Sequence, residues 1–389
     1  MVRAGTLAAA ALVLIAVACD FGQPRRDRAD RDPTAGFIWR LPQGFPTPRV
    51  PPDNSMTSVK VELGRRLFHD PRLSGDGTLA CVSCHDPARA YTDGRARAVG
   101  IQGNIHPRSA MSLTNVAYNA TLGWDDPALT RLEDQARVPL FNTQPPEMGV
   151  ADREDEVMAR IKGDDHYPEL FFEAFPEDQD PVTMRNVTYA LAAFERTLIS
   201  GNSPYDRWAY GGEVAALDPD ERAGARLFFS RRLNCFRCHA GFNFSGPVVY
   251  EDSAEATALF HNTGLYNEDG RGAYPAPNTG VHRHSGRDAD MGRFRAPTLR
   301  NIALTAPYMH DGSVPTLEAV LDHYAVGGRA RYLSPHSGTS PAGVVIDPMV
   351  AGFALTPEER RQVVAFLHAL TDETFVRDAR EQNIKSAAK

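Results

Sequence analysis

The chain has 389 residues, of which 42% are hydrophobic and 23% charged, with a formal net charge of -7. This is the composition of a globular protein of roughly two domains, and the acidic balance gives no reason to expect a nucleic-acid partner. The 29 Pro and 31 Gly foretell long irregular connections.

The N-terminus reads as an export signal, residues 1–19. Arg3 supplies positive charge, and Leu7 to Val17 is an apolar run too short to span a bilayer. It ends Ala16-Val17-Ala18-Cys19, small residues before a cysteine, as in a lipoprotein cleavage box, although Leu is usual where Ala16 stands. Cys19 is then the lipidated first residue of a periplasmic protein whose only tie to a membrane is that anchor. An ordinary signal peptide cut nearby is the rival. Residues 20–57, rich in Arg, Asp and Pro, read as a tether and an extended lead-in, with Pro48, Pro51 and Pro52. No later segment is apolar enough to cross a membrane.

Helix signals then dominate. Gly64-Arg65-Arg66-Leu67-Phe68 is echoed by Gly224-Ala225-Arg226-Leu227-Phe228, each ahead of a cysteine motif, so a delivering helix has been used twice. Val187, Leu191, Phe194 and Leu198 recur at helical spacing, as do Val363, Val364, Phe366, Leu367 and Leu370. Asp218-Pro219-Asp220-Glu221 and Thr356-Pro357-Glu358-Glu359 have the form of capping boxes with Pro at the first helical position. Strand signals are poor. The expected fold is mainly α, with one domain over 58–200, a second over 201–375, and a tail over 376–389.

The five cysteines carry the chemistry. Besides Cys19 they form Cys81-Val82-Ser83-Cys84-His85 and Cys235-Phe236-Arg237-Cys238-His239, which leaves no pair for a structural disulfide. Two thiols three positions apart can bond both vinyl groups of one porphyrin, and the following histidine then lies under the iron. Zinc also uses Cys-x-x-Cys, but adjacent Cys and His rarely ligate one tetrahedral metal. Two covalently bound haem c groups are therefore expected. An iron closed on both faces passes electrons; an open face binds peroxide or oxygen.

The surrounding motifs resemble the bacterial dihaem cytochrome c peroxidase and MauG superfamily. They are Leu63-Gly64-Arg65-Arg66-Leu67-Phe68, Arg72-Leu73-Ser74, Tyr91-Thr92-Asp93-Gly94, Ala296-Pro297-Thr298-Leu299-Arg300-Asn301 and Ala306-Pro307-Tyr308-Met309-His310-Asp311-Gly312, spread over about residues 58–372. Leu41-Pro42-Gln43-Gly44-Phe45-Pro46 and Ser112 to Asn119 are more similar still to the MauG-like branch associated with methanobactin gene clusters (MbnH-like). The resemblance implies two cytochrome c-like haem domains with long loops. It implies a peroxidase in which hydrogen peroxide meets the N-terminal haem and the C-terminal haem relays an oxidising equivalent. Trp124 matches the tryptophan between the haems, and Gln135 and Glu147 match the polar pair over the open face. Glu147 would move a proton between the peroxide oxygens.

In this family the second ligand of the C-terminal iron is a Met in enzymes that oxidise a small cytochrome and a Tyr in the MauG-like branch. Tyr324 holds that position, and Leu317, Val320, Leu321 and Tyr324 share one helical face while His323 points elsewhere. Met309 is the rival ligand. His106 does not match the spacing of a distal histidine, so an open N-terminal iron is expected. A calcium ion is implied at the backbone of Arg295 and Pro297, with Ser109 where an Asn side chain is usual. Three functions stay open: oxidation of a protein substrate, in the methanobactin branch at a partner's tryptophan; peroxide removal with electrons from a small cytochrome; and electron transfer without catalysis.

Overall fold

The computed structural model describes residues 37–257, 259–331 and 346–387. The export signal and Cys19 lie outside them. Among the described residues no helix is long and apolar enough to cross a membrane.

The first half holds α1 (Ser58–His69), the short α2 (Leu132–Gln135) and α3 (Arg137–Phe141), α4 (Glu154–Lys162), α5 (Tyr167–Ala174) and α6 (Met184–Glu195). Leu63, Leu67 and Phe68 of α1 pack with Val187, Leu191 and Phe194 of α6 in one apolar cluster. Leu198 belongs to that cluster but lies beyond the end of α6. The second half holds α7 (Pro204–Ala209), α8 (Pro219–Phe228), α9 (His282–Ser285), α10 (Leu317–Ala325) and α11 (Pro357–His368). Its cluster joins Phe228, Phe244, Leu317, Leu321, Val363 and Phe366. Among the described residues strand is confined to β1 (Phe260–His261) and β2 (Phe294–Arg295), an antiparallel pair with Phe260 opposite Arg295.

Both expected capping boxes form. Asp218 accepts from the Glu221 N–H and Glu221 returns to the Asp218 N–H; Thr356 and Glu359 do the same. Each satisfies two of the free amides at a helix start.

The repeated Gly has a packing reason. A Cβ on Gly64 would stand 1.9 Å from the Ala190 carbonyl oxygen in α6, and one on Gly224 would stand 1.9 Å from the Gln362 oxygen in α11. Each half thus crosses two helices at backbone contact, and each crossing delivers the chain toward a Cys-x-x-Cys-His motif. Gly64→Ala or Gly224→Ala is expected to cost about 1–3 kcal/mol by overpacking, seen as a lower urea midpoint at unchanged slope.

Two expectations need correction. Of the expected tail over 376–389, the described residues 376–387 are helical, as part of α12 (Glu373–Ala387). Phe375 packs against Tyr91, and Ala379 joins the first half's core. Its apolar positions are too few to give a clear helical stripe. The lead-in, described from residue 37, is extended but not loose. Phe45 is buried against Tyr118 and Phe242, and Tyr118 donates to the Pro46 carbonyl at 2.7 Å. Near residue 201 the chain is held by Asp372, whose carboxylate accepts from Ser200, Gly201 and Asn202 at 2.8–3.2 Å.

Candidate functional site: two cysteine–histidine centres with unlike surroundings

Each motif opens as a single 3-10 turn, Cys81–Ser83 and Cys235–Arg237, which brings the following Cys and His back under it. The His85 Nδ1 bonds the Tyr91 carbonyl at 2.9 Å. The His239 Nδ1 lies 3.2 Å from the Phe244 carbonyl and 3.1 Å from that of Pro297. A carbonyl accepts only from an N–H, so Nδ1 carries the proton and Nε2 keeps its lone pair for a metal. Burial lowers the pKa of both rings, that of His239 to about 4, so both are neutral, as iron ligation requires.

Burial also pushes the thiols up, Cys81 and Cys235 to about 12 and Cys84 and Cys238 to about 11. A structural zinc site needs four ligands. Among the described residues no three His, Cys, Asp or Glu side chains gather as a metal site. Paired thiols followed by a histidine, with no further ligand gathered beside them, fit thioether attachment of haem and not a zinc cage.

Around the second motif this fit has a volume. A cavity of about 240 Å³ is lined by Cys235, Cys238, His239 and all four residues of the α10 stripe, Leu317, Val320, Leu321 and Tyr324. Burial raises the pKa of Tyr324, and Cys238 and Cys235 add to the effect, so the phenol sits close to both thiols. Its hydroxyl has no hydrogen-bond partner among the described residues. His323 leaves the stripe, as expected, but turns inward: it is buried, with Nε2 3.0 Å from the Thr263 carbonyl. Met309 lines the same cavity with φ 71°.

Trp124 lines the cavity as well. Its Nε1 donates to the Ser109 carbonyl at 3.1 Å, and its own carbonyl accepts from the Arg295 N–H at 2.9 Å. The neighbouring Asp125 is buried and takes a bidentate pair from Arg108 at 2.6 Å. The indole is therefore fixed between the halves of the chain.

The first motif has a different wall. Glu147 stands in the loop after α3, which is folded back by the bonds Met148 N–H to the Pro139 carbonyl and Ile101 N–H to the Glu147 carbonyl, both 2.9 Å. Its charge acts on Cys84 and His85, which places the carboxylate near the motif. The carboxylate is 34% exposed and lies 3.4 Å from Nδ1 of His106, itself 7% exposed. Asn142 also donates to it at 3.4 Å. Gln135 ends α2 and is half-buried, and its side chain makes no hydrogen bond to Glu147.

His106 does not have the spacing of a distal ligand; the fold puts it beside the Glu147 carboxylate. A mispositioned catalytic group can lose about 100-fold. His106→Phe is therefore expected to slow the peroxide reaction by about 10–100-fold and shift its pH profile, with unchanged haem content, in stopped-flow measurements. No sequence pattern marks the aromatic wall of the cavity at the second motif. There His310 stacks on Phe294 at 3.7 Å and 12°, burial holds its pKa well down, and Nε2 is buried without a partner among the described residues.

A family model described as di-haem cytochrome c peroxidase matches residues 58–214, and one described as RoxA-like, cytochrome c-like matches residues 293–326. The chain is 38% identical to the methylamine utilization protein MauG of Methylorubrum extorquens, across 86% of this chain and 84% of that protein. It is 34% identical to the cytochrome c peroxidase Ccp of Escherichia coli, across 85% of this chain and 60% of that protein. A solved MauG-like protein associated with microbial copper homeostasis is similar with a TM-score of 0.83 and 45% identity, across 88% of this chain and 97% of that one.

Proposed function

The chain belongs to the di-haem cytochrome c peroxidase family, and on that premise we propose that its two sites divide the work in the MauG-like manner. Membership makes it a haem oxidoreductase with two haem c groups. Bound at His85 and His239, the haems would supply the iron that cleaves hydrogen peroxide and the iron that holds an oxidising equivalent. Glu147 takes the proton from one peroxide oxygen and returns it to the other as the O–O bond breaks. The Gln135 amide offers a second polar contact, and His106, whose Nε2 faces the Pro146 carbonyl at 3.4 Å, donates to the Glu147 carboxylate from Nδ1 only when its ring is protonated. The Trp124 ring passes electrons between the sites. Tyr324 would help hold the haem at His239, and a phenolate ligand would favour a long-lived oxidised state.

The observation that carries this reading is the asymmetry of the walls. One motif has an exposed-edge carboxylate beside it, and the other has an unpartnered phenol in an aromatic cavity. The substrate is then a protein oxidised at the surface by long-range electron transfer. A tryptophan of a partner in copper homeostasis is the target we favour, because the relative at 45% identity is associated with that process. We place the work in the periplasm, and Cys19 as its lipid anchor. Met309, lining the same cavity as Tyr324, favours a second reading: peroxide removal with electrons from a small cytochrome.

Calcium fits poorly. The carbonyls of Arg295 and Pro297 are neutral donors, and the Pro297 oxygen accepts from His239 with one of its two lone pairs. Ser109 offers a hydroxyl and no carboxylate. The Arg295 guanidinium, bonded to the Gly123 carbonyl at 3.1 Å, has no acidic partner among the described residues and adds positive charge nearby. Calcium prefers 6–8 oxygen ligands, commonly with carboxylates. No step is assigned to it, and dialysis against a chelator is expected to leave the haem absorption spectrum unchanged.

The reading is tested by mixing diferric protein with a single equivalent of peroxide in a stopped-flow spectrometer. The absorption bands of both haems are expected to change together. Bands that do not respond remove the peroxidase reading. A response that needs prior reduction of one haem replaces it with the small-cytochrome reading.

A further inference from the structure

We propose that Tyr266 is the surface terminal of an electron relay, through which the oxidising equivalent held at the Cys235–Cys238–His239 site reaches a protein substrate. The proposal rests on the peroxidase reading above and names the exit that reading leaves open.

The cavity wall carries a run of rings in contact. Trp124 meets His310 edge-on with centroids 6.4 Å apart, and Tyr274 lies 6.3 Å from His310 and 6.1 Å from Phe294. All four line the cavity. Tyr266 lies one ring further out, edge-on to Tyr274 at 5.5 Å and 68°. These separations are those of aromatic pairs in contact. Tyr274 is 4% exposed, whereas Tyr266 is only partly buried. Tyr274 and Tyr266 thus step from the cavity wall to the surface.

Proton chemistry decides where an electron vacancy rests on this run. A phenol that loses an electron becomes a strong acid, so the vacancy settles where the proton has an acceptor. The Tyr274 hydroxyl donates to the neutral Asn262 amide oxygen at 2.8 Å and accepts from the Leu265 N–H at 2.9 Å. The Tyr266 hydroxyl donates to the Asp311 carboxylate. Two other tyrosines among the described residues donate to a carboxylate, Tyr167 to Asp70 at 2.9 Å and Tyr189 to Asp53 at 2.8 Å. Neither has a ring contact with a residue of the cavity wall. A second aromatic path, Phe244 to Tyr205 at 5.0 Å and on to Trp208 at 6.0 Å, has no carboxylate on the Tyr205 hydroxyl.

One electron leaves Tyr266, passes through Tyr274 and reduces the oxidised haem site, and the phenolic proton moves to Asp311. The neutral tyrosyl radical takes one electron from an oxidisable aromatic side chain of the docked protein, and the proton returns. Peroxide supplies two oxidising equivalents, so the relay runs twice per peroxide.

The test uses diferric holoprotein grown with ring-deuterated tyrosine, treated with peroxide without substrate and freeze-quenched for EPR. The expected result is a protein radical whose hyperfine structure narrows on deuteration. It is lost in Tyr266→Phe, retained in Trp208→Phe and shortened in lifetime in Asp311→Asn, which serves if Tyr266→Phe fails to fold. A radical that survives Tyr266→Phe, or that Trp208→Phe abolishes, overturns the proposal, as does the absence of a tyrosyl radical while the haem bands respond. Haem bands that ignore peroxide in the unmodified protein overturn the peroxidase reading and the relay with it.

Discussion

Replacing Glu147 by Gln is expected to slow the reaction with hydrogen peroxide by about 10²–10⁴-fold, the usual contribution of a positioned general acid–base group. The change keeps size and hydrogen-bonding capacity and removes only the ability to take a proton. The loop should hold, because it is fixed through backbone bonds to Ile101 and Pro139 and not through the carboxylate. Haem content and the spectrum of the oxidised protein should therefore be unchanged, and the loss should fall on the second-order rate with peroxide in stopped-flow measurements. A Glu147→Gln rate within a few-fold of the unmodified protein would place the proton transfer elsewhere. His106, 3.4 Å from the carboxylate, would be the next residue to replace.

The second large effect is expected at Tyr324. Tyr324→Met should raise the reduction potential of the C-terminal haem by on the order of hundreds of millivolts, a fraction of the roughly 0.8 V that axial ligands span. A thioether favours the reduced iron, whereas a phenolate favours the oxidised one. The phenol is placed for this role by the α10 stripe and by its nearness to Cys235 and Cys238. A potentiometric titration checks it. If Met309 is the ligand instead, Tyr324→Phe leaves the potential and the low-spin spectrum in place, and Met309→Leu alters both.

Much of the scaffold was legible in the chain because it rests on local rules. The capping boxes at Asp218 and Thr356 form as their spacing requires. The doubled Gly–Phe segment marked two helices, although only the fold shows that the Gly is there to admit the Ala190 and Gln362 carbonyls. Leu317, Val320, Leu321 and Tyr324 fall on one face of α10, as their spacing requires, and only the fold shows that this face lines a cavity. What escaped depends on long loops, which have no period to read. The pairing of His106 with Glu147 joins two loops distant in sequence. The aromatic run from Trp124 through His310 and Tyr274 to Tyr266 joins residues far apart in the chain. The packing of α12 onto the first half depends on few apolar side chains, Phe375 and Ala379 among them.

The two Cys-x-x-Cys-His centres are alike in motif and unlike in surroundings, and the functional account depends on that difference. EPR of the oxidised protein tests it most directly. One high-spin and one low-spin ferric iron are expected, with added cyanide altering only the high-spin signal. Two low-spin signals, both indifferent to cyanide, would contradict the account and leave a protein that only passes electrons.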